Sequence, residues 1–164
     1  MGTGKSSVGR LVADLLRFTF LDTDDVIAAR AGKAIREIFE QQGEPVFRDW
    51  EGKIVEELTR RSKTIIATGG GLPASEANLA SLKTHSMVVC LWASPDKIWE
   101  RVRGQTHRPM LNEADPLAKI RQLLAEREPY YRRADVLVNT ELRSLREVAA
   151  QVVHQFRMAQ GGQR

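Results

Sequence analysis

Apolar residues recur at Val8, Leu11, Val12, Leu15 and Leu16, the spacing of a helix with one buried face, which predicts a helix over 6–17. Residues 18–21 are a short apolar run ending in Asp-Thr-Asp-Asp. That pattern reads as a buried strand whose C-terminal end delivers carboxylates into a loop. Helical periodicity resumes at about 24–31, 34–41 and 45–61. A second strand is expected over 64–67, followed by Thr68-Gly69-Gly70-Gly71, and a third over 87–92, followed by Ser94-Pro95-Asp96. Proline in the first turn makes the last of these a good helix start, and the helix runs over 96–103. Residues 104–115 are polar, without periodicity, and long enough for a lid. A helix over 116–133, a strand over 135–138 and a closing helix over 142–158 complete the chain, the tail 159–164 fraying. The stripe Leu142, Leu145, Val148 and Val152 is expected to be core.

Strands alternating with helices imply a parallel sheet covered on both faces, a three-layer α/β arrangement. Ligands collect at the C-terminal ends of such strands. Three unusual segments fall there: 22–25, 69–71 and the loop before Pro95.

Composition changes this picture little. A chain of 164 residues with 42% hydrophobic and 28% charged positions suits one soluble domain, here 1–164. No apolar run approaches the roughly 18 residues of a membrane span, and a cytoplasmic location is the expectation. Cys90 is the one cysteine, which leaves no disulfide framework and reads as packing in an apolar strand. His85, His107 and His154 have no metal spacing and read as surface or lid residues. The net charge of +4 comes from scattered basic residues, so nucleic acid is not implied, while small anionic ligands are compatible with it.

The chemistry starts at Gly2-Thr3-Gly4-Lys5-Ser6-Ser7, which supplies the end of the phosphate-loop pattern G-x-x-x-x-G-K-[ST]. Glycines let successive N–H groups curl around an anion, the helix start adds its positive dipole end, and the lysine reaches the β- and γ-phosphates of a nucleotide. Ser6 would ligate Mg²⁺. A glycine-rich terminus that happens to precede a helix is the bland alternative. The first glycine of the pattern would lie two positions before Met1, as would the strand that feeds the loop, a central one in this architecture. The expectation is therefore that the sequence is truncated at its N-terminus.

Five separated segments, GTGKSSVGRLVADLL, FLDTDDVIAARAGKAIREIFEQQGEPVFRDWE, ATGGGLP, WERVRGQTHRPML and AEREPYYRRAD, together resemble the shikimate kinases. The resemblance implies a three-layer P-loop kinase fold, its first central strand missing here, that passes the γ-phosphoryl of ATP to the 3-hydroxyl of shikimate. It implies that Gly2, Thr3, Gly4, Lys5, Ser6 and Ser7 hold ATP, that Ser6 and Asp22 hold Mg²⁺, and that Asp24 orients or deprotonates the acceptor hydroxyl. Arg48 and Arg127 match a clamp for the substrate carboxylate, Glu51 the acid that holds Arg48, and Gly69, Gly70 and Gly71 the turn beside the substrate. Arg108 matches a lid arginine that reaches the γ-phosphate, and Arg101 a residue on the adenine ring. A monomer binding only small molecules, with neither nucleic acid nor membrane as partner, is implied as well.

Blander roles compete. Asp22 or Asp24 could simply cap the helix that follows, and Arg48 alone would be an ordinary solvated charge. Only the register with Glu128-Pro129-Tyr130-Tyr131 singles Arg127 out among its neighbouring arginines. Two other functions compete too. A gluconate kinase would keep the phosphate loop but lack the paired arginines and triple glycine. An inactive binding module would fit the missing strand, but not so complete a set of catalytic residues.

Overall fold

In the computed structural model, which describes residues 2–104 and 115–162, the chain order is α1 (Lys5–Leu16), β1 (Thr19–Asp22), α2 (Thr23–Ala31), α3 (Ile35–Leu58), β2 (Thr64–Ala67), a 3₁₀ turn (Leu72–Ala74), α4 (Glu76–His85), β3 (Val89–Trp92), α5 (Pro95–Val102), α6 (Pro116–Tyr131), β4 (Val136–Asn139) and α7 (Leu145–Gly161). The periodic segments become the expected elements to within a few residues. The two helices expected around Gly43 run on as α3, broken where Gly43 takes φ 83° and ψ 169°. Pro45 lies two residues further on, free to start the second segment because a proline has no N–H to lose in a first turn.

Among the described residues all strand pairing is parallel. β1 pairs with β2, Thr19 opposite Thr64, and β3 with β4, Val89 opposite Val136. No ladder joins the two pairs among the described residues. Helices cover both faces. Val8 and Val12 of α1 and Val148, Ala149, Val152 and Val153 of α7 form one core, against which Ile65 of β2 and Val89, Leu91 and Val136 of the other pair pack. The pairs thus share one cover. Ile66, the next residue of β2, points the other way, into a core of Ile27, Ile38, Phe47, Ile54 and Leu58 under α2 and α3. A third cluster, Ala93, Ile98, Val102 and Ile120, joins α5 to α6.

Gly9 explains how closely α1 lies on β1, since a Cβ there would stand 2.7 Å from the Phe20 ring. Of the stripe expected to be core on the last helix, Val148 and Val152 are buried, but Leu142 is 96% and Leu145 48% exposed. The correction has a simple cause: α7 begins at Leu145, capped by Ser144, so Leu142 precedes the helix and its face. Helix α4 was not expected at all. It buries only Leu79, so no apolar stripe announces it, and its start is set by Ser75, whose hydroxyl accepts from the Asn78 amide.

Candidate active site

Most of the residues singled out in the sequence gather at the C-terminal ends of β1 and β2 and around the start of α1. Gly2 and Gly4 adopt φ of 69° and 86°, left-handed values that a glycine takes without steric cost, and Gly4 caps α1. Thr3 is buried between them. The N–H groups of a helix's first turn carry partial positive charge, which favours an anion at such a start. Lys5 opens the helix and lies near enough to Asp24 to pull its pKa down, against the larger opposing effect of burial. Ser7, also in the first turn, is exposed.

β1 ends at Asp22, whose carboxylate does two things. One oxygen caps α2 by accepting from the Asp24 amide at 3.1 Å, so the capping role holds for this residue. The other accepts from the Ser6 hydroxyl at 2.7 Å, which links the phosphate loop to the end of β1. Ser6 and Asp22 thus present adjacent oxygen donors, the chemistry a hard divalent cation takes. Among the described residues no group of three His, Cys, Asp or Glu side chains could form a protein cage for a metal. Mg²⁺ is typically bound through one or two protein oxygens plus phosphates and water, and the pair fits that mode.

Asp24 points its Oδ1 inward, buried and without a protein partner, as does Glu51 with Oε1. Both oxygens crowd the position where a Cβ of residue 69 would sit, at 2.8 and 3.1 Å. Burial pushes both carboxyls above their ordinary range. At Asp24 the neighbouring Asp22 adds to the rise, and at Glu51 the Arg48 cation opposes it. Arg48 donates to Glu51 at 2.6 Å and to the exposed Glu44 at 2.6 Å. With Glu51 only 1% exposed, this is the holding acid the sequence pointed to. Gly71 lies against the same guanidinium, where a Cβ would be 2.5 Å from Nη1. Arg48, Gly71 and Arg127 line a common cleft of about 670 Å³ between α3, the 3₁₀ turn and α6.

The glycine turn is held from two sides by residues the sequence reading did not assign. The Thr23 hydroxyl, fully buried, accepts from the Gly69 amide at 3.1 Å, and the Tyr131 hydroxyl donates to the Gly70 carbonyl at 2.7 Å. Both residues sat inside quoted motifs, Asp-Thr-Asp and Glu-Pro-Tyr-Tyr. Arg101 donates to the Thr140 carbonyl at 2.5 Å and to its hydroxyl at 2.9 Å, tying α5 to the end of β4. Cys90 is partly buried and its thiol is pushed up by burial, in keeping with packing. Arg108 and most of the expected lid lie outside the described residues.

A helix start shaped for phosphates, facing a buried carboxylate and a separate arginine-lined cleft, defines a phosphate-loop phosphotransferase acting on a small acceptor. The comparisons agree and narrow the class. The family model described as shikimate kinase matches residues 1–157, and the chain belongs to the shikimate kinase family. It is 40% identical over 162 residues to the shikimate kinase of Thermodesulfovibrio yellowstonii, covering 99% of this chain and 94% of that one. With the shikimate kinase of Thiobacillus denitrificans it shares 45% identity over 146 residues, 88% of this chain and 80% of the relative. The structure of shikimate kinase from Acinetobacter baumannii in complex with shikimate superposes with a TM-score of 0.92 at 36% identity, covering 97% of this chain and 89% of that one.

Proposed function

We propose that this kinase passes the γ-phosphoryl of ATP to the 3-hydroxyl of shikimate by in-line displacement, with the residues above in the following roles. Gly2 to Ser7 cradle the phosphates, Lys5 neutralises the group in transit, and Arg101 borders the adenine. Asp24 accepts the proton of the attacking hydroxyl through its unpartnered Oδ1. A carboxylate raised by burial is a stronger base than an ordinary one, which suits it to that step. Arg48, held by Glu51, and Arg127 receive the substrate carboxylate, for which a forked guanidinium is the matched partner. Gly69 to Gly71 leave room for the ring beside them.

Ser6 and Asp22 would hold Mg²⁺, which when bound offsets the negative charge of the β- and γ-phosphates. Arg108 is assigned the stabilisation of charge on the transferring group, and the 104–115 segment the exclusion of water, from their place in the family pattern. A monomer in the cytoplasm completes the reading.

The observation that carries this reading is the convergence of Asp24 and Arg48 on the glycine turn, seen in the contacts that a Cβ at residue 69 or 71 would make. Shikimate-dependent release of ADP tests it, with gluconate as the control acceptor. Turnover with shikimate and none with gluconate is expected. Equal turnover with both, or ADP release that no acceptor stimulates, would refute the assignment of the cleft.

A further inference from the structure

Helix α6 brings two residues of its quoted motif to the same face, since Arg127 and Tyr131 are four residues apart. The clamp reading accounts for Arg127 and leaves Tyr131 unexplained. Its hydroxyl is part-buried and donates to the carbonyl of Gly70 at 2.7 Å. The Arg127 guanidinium stands beside the same hydroxyl and partly opposes the rise in its pKa that burial causes. One oxygen therefore joins the arginine on α6 to the glycine turn after β2.

The peptide between Gly70 and Gly71 is planar and trans, as no cis bond occurs among the described residues. Its carbonyl and its N–H point in opposite directions. Holding the Gly70 carbonyl on Tyr131 thus fixes where the Gly71 N–H points. Among the described residues that amide donates to no protein group, and Gly71 itself lies against the Arg48 guanidinium, with room for no Cβ between them. The chain of contacts runs Arg127, Tyr131, Gly70, Gly71, Arg48. Its two ends are the two arms of the proposed carboxylate clamp.

We infer that Tyr131 is a positioning residue for substrate recognition: its hydroxyl sets the spacing between Arg127 and Arg48 and the direction of the Gly71 amide, so that a carboxylate-bearing acceptor meets all three at once. The inference rests on the proposed clamp. It predicts a divided effect. The opposite side of the turn is held independently, by the Gly69 amide on the Thr23 hydroxyl at 3.1 Å, and Thr23 is the neighbour of Asp24. Loss of the Tyr131 hydroxyl therefore loosens the turn on the clamp side and leaves the side that carries the base in place. A buried tyrosine whose hydroxyl merely finds an acceptor would also bond to Gly70, but that role would not single out the substrate's carboxylate.

The test compares wild type, Tyr131→Phe and Arg127→Ala, each with shikimate and with its methyl ester, which presents the same ring without the charge. Tyr131→Phe is expected to raise the KM for shikimate about tenfold, as loss of one well-placed hydrogen bond to a recognition element does. Both kcat and the KM for ATP should stay within about twofold, the pattern of lost uniform binding. With the methyl ester, wild type and Tyr131→Phe should have nearly the same KM. Tyr131→4-aminophenylalanine, which restores a donor at the same place, should recover much of the shikimate affinity.

An unchanged shikimate KM in Tyr131→Phe, beside a raised one in Arg127→Ala, would overturn the inference and leave the clamp standing. A rise of the same size with shikimate and with the ester would overturn it too, as would a Tyr131→Phe protein with no melting transition, which would assign the hydroxyl to the fold alone. An unchanged shikimate KM in Arg127→Ala would instead remove the clamp reading and this inference with it.

Discussion

The two glycine-rich loops of this kinase need glycine for different physical reasons. In the phosphate loop the reason is backbone direction: Gly2 and Gly4 have φ of 69° and 86°, and only so can their amides turn toward an anion. In the turn after β2 neither Gly69 nor Gly71 has a positive φ among the described glycines. There the reason is space, because Asp24, Glu51 and Arg48 from α2 and α3 close onto the turn to within what would be collision distance of a Cβ. In the proposed reading one loop shapes its own main chain for the donor. The other is a floor on which side chains from distant helices assemble the acceptor site.

The division of labour is broken hardest at Asp24, whose Oδ1 lies against the turn and whose carboxyl feels the charge of Lys5 in the phosphate loop. Asp24→Asn keeps the shape and removes the base. We expect kcat with shikimate to fall about 10²–10⁴-fold, the usual worth of a positioned general base, while calorimetric titration shows ADP affinity within a few-fold of wild type. A loss of ADP affinity comparable to the loss of kcat would place Asp24 in the nucleotide site instead.

Alanine in the glycines tests the contrast itself. Gly71→Ala inserts a methyl 2.5 Å from the Arg48 Nη1. The guanidinium is the far end of a flexible side chain and can move aside, so the effect falls on its place in the clamp rather than on the fold. The expected result is a shikimate KM raised about tenfold, as for one displaced recognition group, with the KM for ATP nearly unchanged. Gly4→Ala should do the reverse, because the strain falls on the loop that faces the phosphates. If both variants weakened ATP and shikimate alike, the loops would have to be regarded as one mechanical unit.

How much of this could be read from sequence follows the same line. The phosphate loop is contiguous, so its glycines, Lys5 and Ser6 are legible as a string, and α1 follows from its apolar spacing. Arg48 and Glu51 are three residues apart on one helix face, and their pairing at 2.6 Å could be anticipated. The hydrogen bonds that tie Thr23 and Tyr131 to the glycine turn span 46 and 61 residues, and no local pattern encodes them. Helix α4 was illegible for another reason: it buries a single leucine, Leu79, and depends on its cap and on ion pairs such as Arg133 with Glu76 and Lys83 with Asp135. Leu142 and Leu145 misled because periodicity continues past a helix start that only the Ser144 cap reveals.

Protonation sharpens the contrast with the smallest expected effect. A buried carboxylate underlies the acceptor turn, whereas the first turn of α1 has no acidic residue. Burial raises the Glu51 carboxyl above its ordinary value of 4.5, the bond from Arg48 opposes the rise, and nearby Asp24 adds to it. The folded state therefore holds this proton more tightly than the unfolded chain does. That gain in stability is complete below the ordinary value and is lost as pH rises through the raised one. Asp24 shifts the same way, so wild type alone would not separate the two. Glu51→Gln mimics the protonated form and cannot lose the proton, and the difference in Tm between variant and wild type isolates the residue. That difference should move in favour of the variant as pH climbs from acid toward neutrality. Movement in the opposite direction would mean that the Arg48 ion pair outweighs burial, and that the floor of the acceptor site is held by charge rather than by a carboxyl that resists ionisation.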